Sequence, residues 1–210
     1  MSYEAVAFRA CAFETPLWAF PNLVPGRWNR AGGRPVQYLS LHPMTPWAEL
    51  LRNLHLRTAE EARELRLPIW AIRAHLDEEP LEIGFADAKR HGLTPADLIA
   101  DDRTRCQGLA DTLVAAGHRS ILVPSAALPG TRNLVLFDPA LVIDYDQIPL
   151  DVEDVPTALV SQGGRCPEGL WESVHHLGAA KPHSGLQAFL DGNDFTFTQP
   201  PVTAASLVPV

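Results

Sequence analysis

Hydrophobic and polar positions fall into short blocks whose period changes repeatedly along the chain. Residues 6–13 and 35–41 hold β-branched and aromatic runs, and residues 29–33 between them are turn-rich. Two strands joined by a long, arginine-bearing loop are expected there. Thr45 then offers a helix N-cap, Pro46 suits the first helical position, and Trp47, Leu50, Leu51 and Leu54 recur at helical spacing. On that helical wheel Glu49 lies about 150° from the centre of the apolar stripe, so it faces solvent or a cleft and not the core.

Farther along, Thr58 with Glu61 forms a capping box that opens a short charged helix, and residues 69–76 predict a strand with a polar tail. Thr94 and Pro95 start a helical turn. Thr104 with Gln107 forms a second capping box, Cys106, Leu109, Ala110 and Leu113 make the inward stripe behind it, and Gly117 ends the helix. Cys106 is therefore a core residue rather than a nucleophile. Residues 120–123 and 133–137 are apolar strands separated by a loop holding Pro124, Ser125, Pro129 and Gly130, and residues 141–145 give one more strand. Strands and helices alternate too irregularly for a doubly wound sheet, so the fold class is α+β.

Beyond residue 150 the sequence turns acidic and carries Pro and Gly, with helical candidates at 169–177 and 185–190. This divides the chain into a core domain, residues 1–150, and an extension, residues 151–210, partly packed on the core and ending in a loose tail from 199 to 210.

Composition and charge narrow the function. The chain has 210 residues, 46% of them hydrophobic, enough for one domain with a real core. Seventeen basic against 25 acidic residues give a net charge of −8, which argues against a nucleic-acid binder. The distribution is uneven: residues 1–57 carry a net +3, residues 58–137 a net −3 and residues 138–210 a net −8. A positive N-terminal third suits a phosphate-bearing small ligand, because the local field governs such a site. Arg9, Glu14 and Arg27 interrupt the apolar stretches near the start, so neither a secretory signal nor a membrane span is expected. Cys11, Cys106 and Cys166 are odd in number and far apart, as in a reducing compartment, and a cytoplasmic location is expected.

No dinucleotide glycine fingerprint, phosphate-binding Walker loop or metalloprotease motif is present. Cys166, His175, His176 and His183 have no standard zinc spacing, and adjacent histidines on a helix point about 100° apart, so no metal is expected. What stands out is Gly26, Arg27, Trp28 and Asn29 in sequence, then Tyr38 on a strand and Glu49 off the apolar face of the next helix. Arginine supplies a planar charged fork for phosphate, tyrosine a stacking face, and a carboxylate can hold a ribose hydroxyl or an oxocarbenium-like centre.

In these residues the chain resembles the RES-domain family, most of whose members are toxins of bacterial toxin–antitoxin pairs. The resemblance spans roughly residues 6–145. It is carried by the motif from Gly26 to Asn29, by Val36, Gln37, Tyr38, Leu39 and Ser40, by Ala48, Glu49 and Leu50, by Cys106, Gln107 and Gly108, by Val123, Pro124 and Ser125, and by Asn133 to Leu136 ahead of Asp138 and Pro139. The chain departs from the family pattern at Pro25, where a second glycine is usual, and at residues 138–141. The resemblance implies a compact fold like that of diphtheria-toxin-type ADP-ribosyltransferases and chemistry on NAD as substrate, without a metal. Arg27, Tyr38 and Glu49 would be catalytic: Arg27 orients the dinucleotide, Tyr38 stacks near nicotinamide, and Glu49 holds the nicotinamide ribose. Trp28, Asn29 and Ser125 would join Arg27 and Tyr38 in contacting NAD. The implied activity is cleavage of the nicotinamide–ribose bond by hydrolysis or phosphorolysis, depleting cellular NAD. Mono-ADP-ribosylation of a protein acceptor and a non-catalytic binding role are the alternatives. The implied partner is a cognate Xre-like helix-turn-helix antitoxin, and homo-oligomerisation is left open.

Overall fold

Alternation along the strands explains how one sheet serves two different surfaces. In the computed structural model the described residues are 2–10, 22–54, 56, 58–137 and 157–198. Seven strands form one sheet: β1 (Tyr3–Ala10), β2 (Val36–Ser40), β3 (Arg66–Leu76), β4 (Leu81–Glu82), β5 (Ser120–Pro124), β6 (Arg132–Phe137) and β7 (Thr157–Arg165). Their order is β4-β5-β6-β2-β1-β3-β7, with β4 and β5 parallel and the other pairs antiparallel.

Side chains on a strand alternate between faces. Leu39, Leu122, Leu134 and Leu136 therefore join Ala7, Ile72, Ala74 and Leu76 in one cluster. On the opposite face Val36, Ile121, Val123, Val135 and Phe137 pack with Trp28, Cys106, Ala110 and Leu113. Tyr38 and Ser40 of β2 and Asn133 of β6 belong to this second face and line a cavity there. The register seats Ser40 opposite Asn133, and the Ser40 hydroxyl donates to Asn133 Oδ1 at 2.9 Å.

Among the described residues the α-helices are α1 (Thr45–Asn53), α2 (Ala59–Arg63), α3 (Thr104–Ala115), α4 (Leu170–Ser173) and α5 (Ser184–Leu190), and two 3-10 turns span Ala88–His91 and Pro95–Leu98. The α+β expectation holds. So does the inward face of α3, where Cys106, Ala110 and Leu113 are buried and Leu109 is half-buried, and Gly117 follows with a φ of +92°. Burial pushes the Cys106 thiol up, as befits a core residue.

Two expected caps and one expected stripe are corrected. Thr45 lies inside α1 and Met44 is the cap; the buried Thr45 hydroxyl donates to Thr131 Oγ1 at 3.0 Å instead. The buried face of α1 is Trp47, Ala48, Leu51 and Arg52, whereas Leu54 is 43% exposed. Arg52 displaces leucine because it has a counter-charge, Asp101, and backbone carbonyls to hold it inside. Thr104 and Gln107 form no capping box. The Thr104 amide and hydroxyl both donate to Asp102 Oδ1, and Gln107 turns away to the 22–33 loop. Thr58 does cap α2, accepting the Glu61 amide at 3.2 Å.

The first strand ends at Ala10, and positions 11–13 lie outside the described residues, as do the strand expected at 141–145 and the tail from 199. Strand β7 extends the same sheet by pairing with β3. In place of the helix expected at 169–177 there is the short α4, and α5 falls where a helix was expected at 185–190. Among the described residues, no helix is long and apolar enough to cross a membrane.

Candidate active site

Residues 22–29, ahead of β2, form one rim of the cavity as a loop, and Asn29 is the residue that shapes it. Its Oδ1 accepts the Gly26 amide at 3.1 Å and the Tyr38 hydroxyl at 2.8 Å, and its Nδ2 donates to the carbonyls of Val24 and Arg30. The Trp28 amide donates to the Tyr38 hydroxyl at 2.9 Å. Gln107, on α3, donates through Nε2 to the carbonyls of Gly26 and Asn29 at 2.8 and 3.1 Å. A Cβ on Gly26 would collide with Asn29 Oδ1 and the Tyr38 hydroxyl, so this position accepts glycine alone. Trp28 is buried in the core behind the loop. Burial pushes the Tyr38 phenol well above its ordinary range, and the charge of Glu49 adds to that shift.

The cavity enclosed by this loop has a volume of about 800 Å³. Tyr38, Ser40, Val123, Asn133 and Val135 from the sheet form its floor, and Glu49, Arg52 and Asn53 project from α1. Glu49 Oε1 accepts two neutral donors, the Ser125 hydroxyl and Asn133 Nδ2, each at 2.9 Å. Ser125 is fully buried, and its hydroxyl also accepts the amides of Ala127 and Leu128 at 3.2 and 3.1 Å. Among the described residues that line the cavity, Glu49 is the acidic one.

Three arginines line the same cavity without pairing to this carboxylate. Arg27 donates to the carbonyls of Asp97 and Ala100 at 3.3 and 2.7 Å. Arg103 donates to Pro25 O at 2.9 Å and to Asn53 Oδ1 at 2.8 Å. Arg52 is 2% exposed and bonds the carbonyls of Ile99 and His175, and Asp101 Oδ1 lies 2.6 Å from its Nη2. Carbonyl partners orient a guanidinium without cancelling its charge, so the cavity lining carries three guanidinium groups and, among the described residues, one carboxylate.

The structure thus brings Arg27, Tyr38 and Glu49 to one cavity. Trp28 and Asn29 also border it, and the side-chain donors and acceptor of Asn29 are spent within the loop and on Tyr38. Ser125 sits behind Glu49 and holds it, with its neighbours Pro124 and Ala126 on the cavity surface. Four residues of the site escaped sequence reasoning. Arg52 lies three residues after Glu49, the spacing that places two side chains on one helix face. Asn133 is a polar residue in an apolar strand run. Arg103 and Gln107 lie within the segment that opens α3, where a capping pattern drew the attention. Among the described residues no group of three or more His, Cys, Asp or Glu side chains is placed to share a metal ion.

Fold and site together define a single-sheet α+β protein with a charged cleft against one face of the sheet. The chain belongs to the RES-domain family, whose model matches residues 4–157. A Mycobacterium tuberculosis protein named "Probable NAD(+) phosphorylase Rv3189" is 32% identical over 124 residues, which cover 59% of this chain and 58% of that protein. The chain therefore matches about 58% of the length of this curated relative. Among solved structures, a chain of the M. tuberculosis MbcT-MbcA toxin-antitoxin complex has a similar fold, with a TM-score of 0.60 and 19% identity over 82% of this chain and 89% of that one.

Proposed function

We propose that this protein breaks the nicotinamide–ribose bond of NAD, with inorganic phosphate as the acceptor, and that it is the toxin of a toxin–antitoxin pair. The observation that carries this reading is Glu49: a carboxylate held by two neutral donors in a cavity that Arg27, Arg52 and Arg103 also line. Family membership and the phosphorylase name of the mycobacterial relative support the same substrate and acceptor.

The chemistry asks for little more. Arg27 and Arg103 grip the diphosphate, and the ring of Tyr38, whose hydroxyl is committed to Trp28 and Asn29, offers a flat face to nicotinamide. As the bond breaks, its electron pair leaves on the nicotinamide nitrogen, which becomes neutral, and the ribose carbon becomes oxocarbenium-like. Glu49 stabilises that positive charge. A phosphate oxygen then bonds to the same carbon. Phosphate arrives already anionic, so no proton has to be removed from it, and Glu49 serves as a counter-charge rather than a base. Water would have to surrender a proton.

The arginines lining the cavity also suit an acidic or carboxylate-bearing segment of a helix-turn-helix antitoxin, which would compete with the diphosphate. The test is product analysis of NAD incubated with the purified protein, with and without phosphate. The expected products are nicotinamide and an ADP-ribose phosphorylated on the anomeric carbon, formed faster as phosphate rises. Free ADP-ribose at a phosphate-independent rate would make water the acceptor, and label retained on protein would indicate ADP-ribosylation.

A further inference from the structure

The segment after residue 165 lies outside the family match, yet it reaches the back of the Glu49 wall. The His175 amide donates to Ala127 O at 2.9 Å, and the Gly178 amide donates to Asp101 Oδ2 at 2.8 Å. His183 makes the most direct link. It is 3% exposed, its Nε2 donates to the Ser125 carbonyl at 3.1 Å, and its Nδ1 accepts the Leu186 amide at 3.1 Å and so caps α5. The rings of His175 and Phe85 meet it edge-on, with centroids 5.3 and 6.1 Å away.

We infer that His183 is a positioning residue for the cleavage reaction, locking the Ser125 carbonyl so that the Ser125 hydroxyl stays aimed at Glu49. This rests on the function proposed above. Ser125 is held at three points: its amide donates to Thr131 O at 3.0 Å, its hydroxyl binds Glu49 and two amides, and its carbonyl binds His183. Releasing the carbonyl frees the peptide that follows Ser125 to rotate, and the loop from 125 to 128 carries the hydroxyl with it. The Leu186 amide fixes the tautomer, because Nδ1 must accept and Nε2 must then carry the proton. Burial lowers the His183 pKa to about 4, which keeps the ring neutral and this tautomer in place near neutral pH.

The two bonds of His183 can be separated by substitution. Asparagine places an acceptor near the position of Nδ1 and is a favoured helix N-cap, but it does not reach Ser125. Glutamine places a donor near the position of Nε2 and loses the cap. Turnover of NAD, thermal midpoint and amide exchange at Ala127 and Leu128 should be measured for wild type, His183→Asn and His183→Gln. The expected result is that His183→Asn melts close to wild type yet loses about tenfold in kcat with little change in KM, and exchanges both amides faster. His183→Gln should melt lower and recover most of kcat. Wild-type kcat in His183→Asn, or kcat losses that track the melting points, would overturn the inference. If wild type releases no nicotinamide, the functional proposal fails by itself and the exchange arm decides: faster exchange in His183→Asn alone supports the positioning role, and equal exchange in both variants refutes it.

Discussion

Outside α1, Arg27 and Arg103 of the cavity lining are held by carbonyls and an amide oxygen, and among the described residues neither has a carboxylate partner; on α1, Glu49 is held by a hydroxyl and an amide N–H. Both regions fix charged groups with neutral partners, so each charge is oriented and still available to a ligand. Arg52 is the contrast among the arginines. It is buried and paired with Asp101, and its charge is largely spent on joining α1 to the residues after the second 3-10 turn and to the chain after α4. The difference separates ligand-facing cations from a structural one, a distinction that residue type alone does not give.

The largest expected effect comes from removing the negative charge while keeping its shape. Glu49→Gln still offers an oxygen to Ser125 and Asn133, so its melting point should stay near wild type while nicotinamide release falls about 10³-fold. Retained turnover would break the comparison at its centre. Next, Arg52→Ala should cost about 3 kcal/mol of stability in denaturant titration, because the Ile99 and His175 carbonyls and Asp101 lose their donor together. A fully stable Arg52→Ala with raised KM would place Arg52 with the ligand-facing cations.

Acid tests whether the Glu49 side is held by neutral groups. Burial lowers the His183 pKa to about 4, with His175 and Arg52 adding to the shift and the Ser125 carbonyl opposing it. The unfolded chain binds a proton at this histidine as pH falls below about 6.5, whereas the folded chain does not until near 4. Its contribution is therefore complete above pH 6.5 and is lost progressively down to pH 4, by up to about 3 kcal/mol. Denaturant midpoints from pH 7 to 4 should show this loss in wild type and not in His183→Asn. The smallest effect is expected for Arg103→Ala, which should raise KM for NAD about tenfold and change kcat little. A loss confined to kcat would move Arg103 from binding to the reaction.

Much of this was legible in the sequence where one rule governs the residue. The strand pattern of β2 and β6, the inward stripe of α3 and the outward turn of Glu49 all follow from periodicity. The site was legible in part: Arg27, Tyr38 and Glu49 share the cavity, as the family motif led one to expect. What stayed hidden was long-range. Arg52 looks like a solvated helix residue until Asp101 and the His175 carbonyl, 49 and 123 residues away in sequence, come to meet it. Gln107 fits a capping box by spacing and is drawn off by the Gly26 and Asn29 carbonyls. Ser125 fits a pocket contact by motif, whereas its full burial and its bond to Glu49, 76 residues away in sequence, come from the fold.

The cleavage of NAD at its nicotinamide–ribose bond is tested most directly by incubating NAD with the purified wild-type chain in phosphate buffer and separating every product by chromatography. One free nicotinamide is expected for each NAD consumed, with the ADP-ribose portion intact. NAD left unchanged by the folded protein, or cleaved at its diphosphate with nicotinamide still attached to ribose, would contradict it.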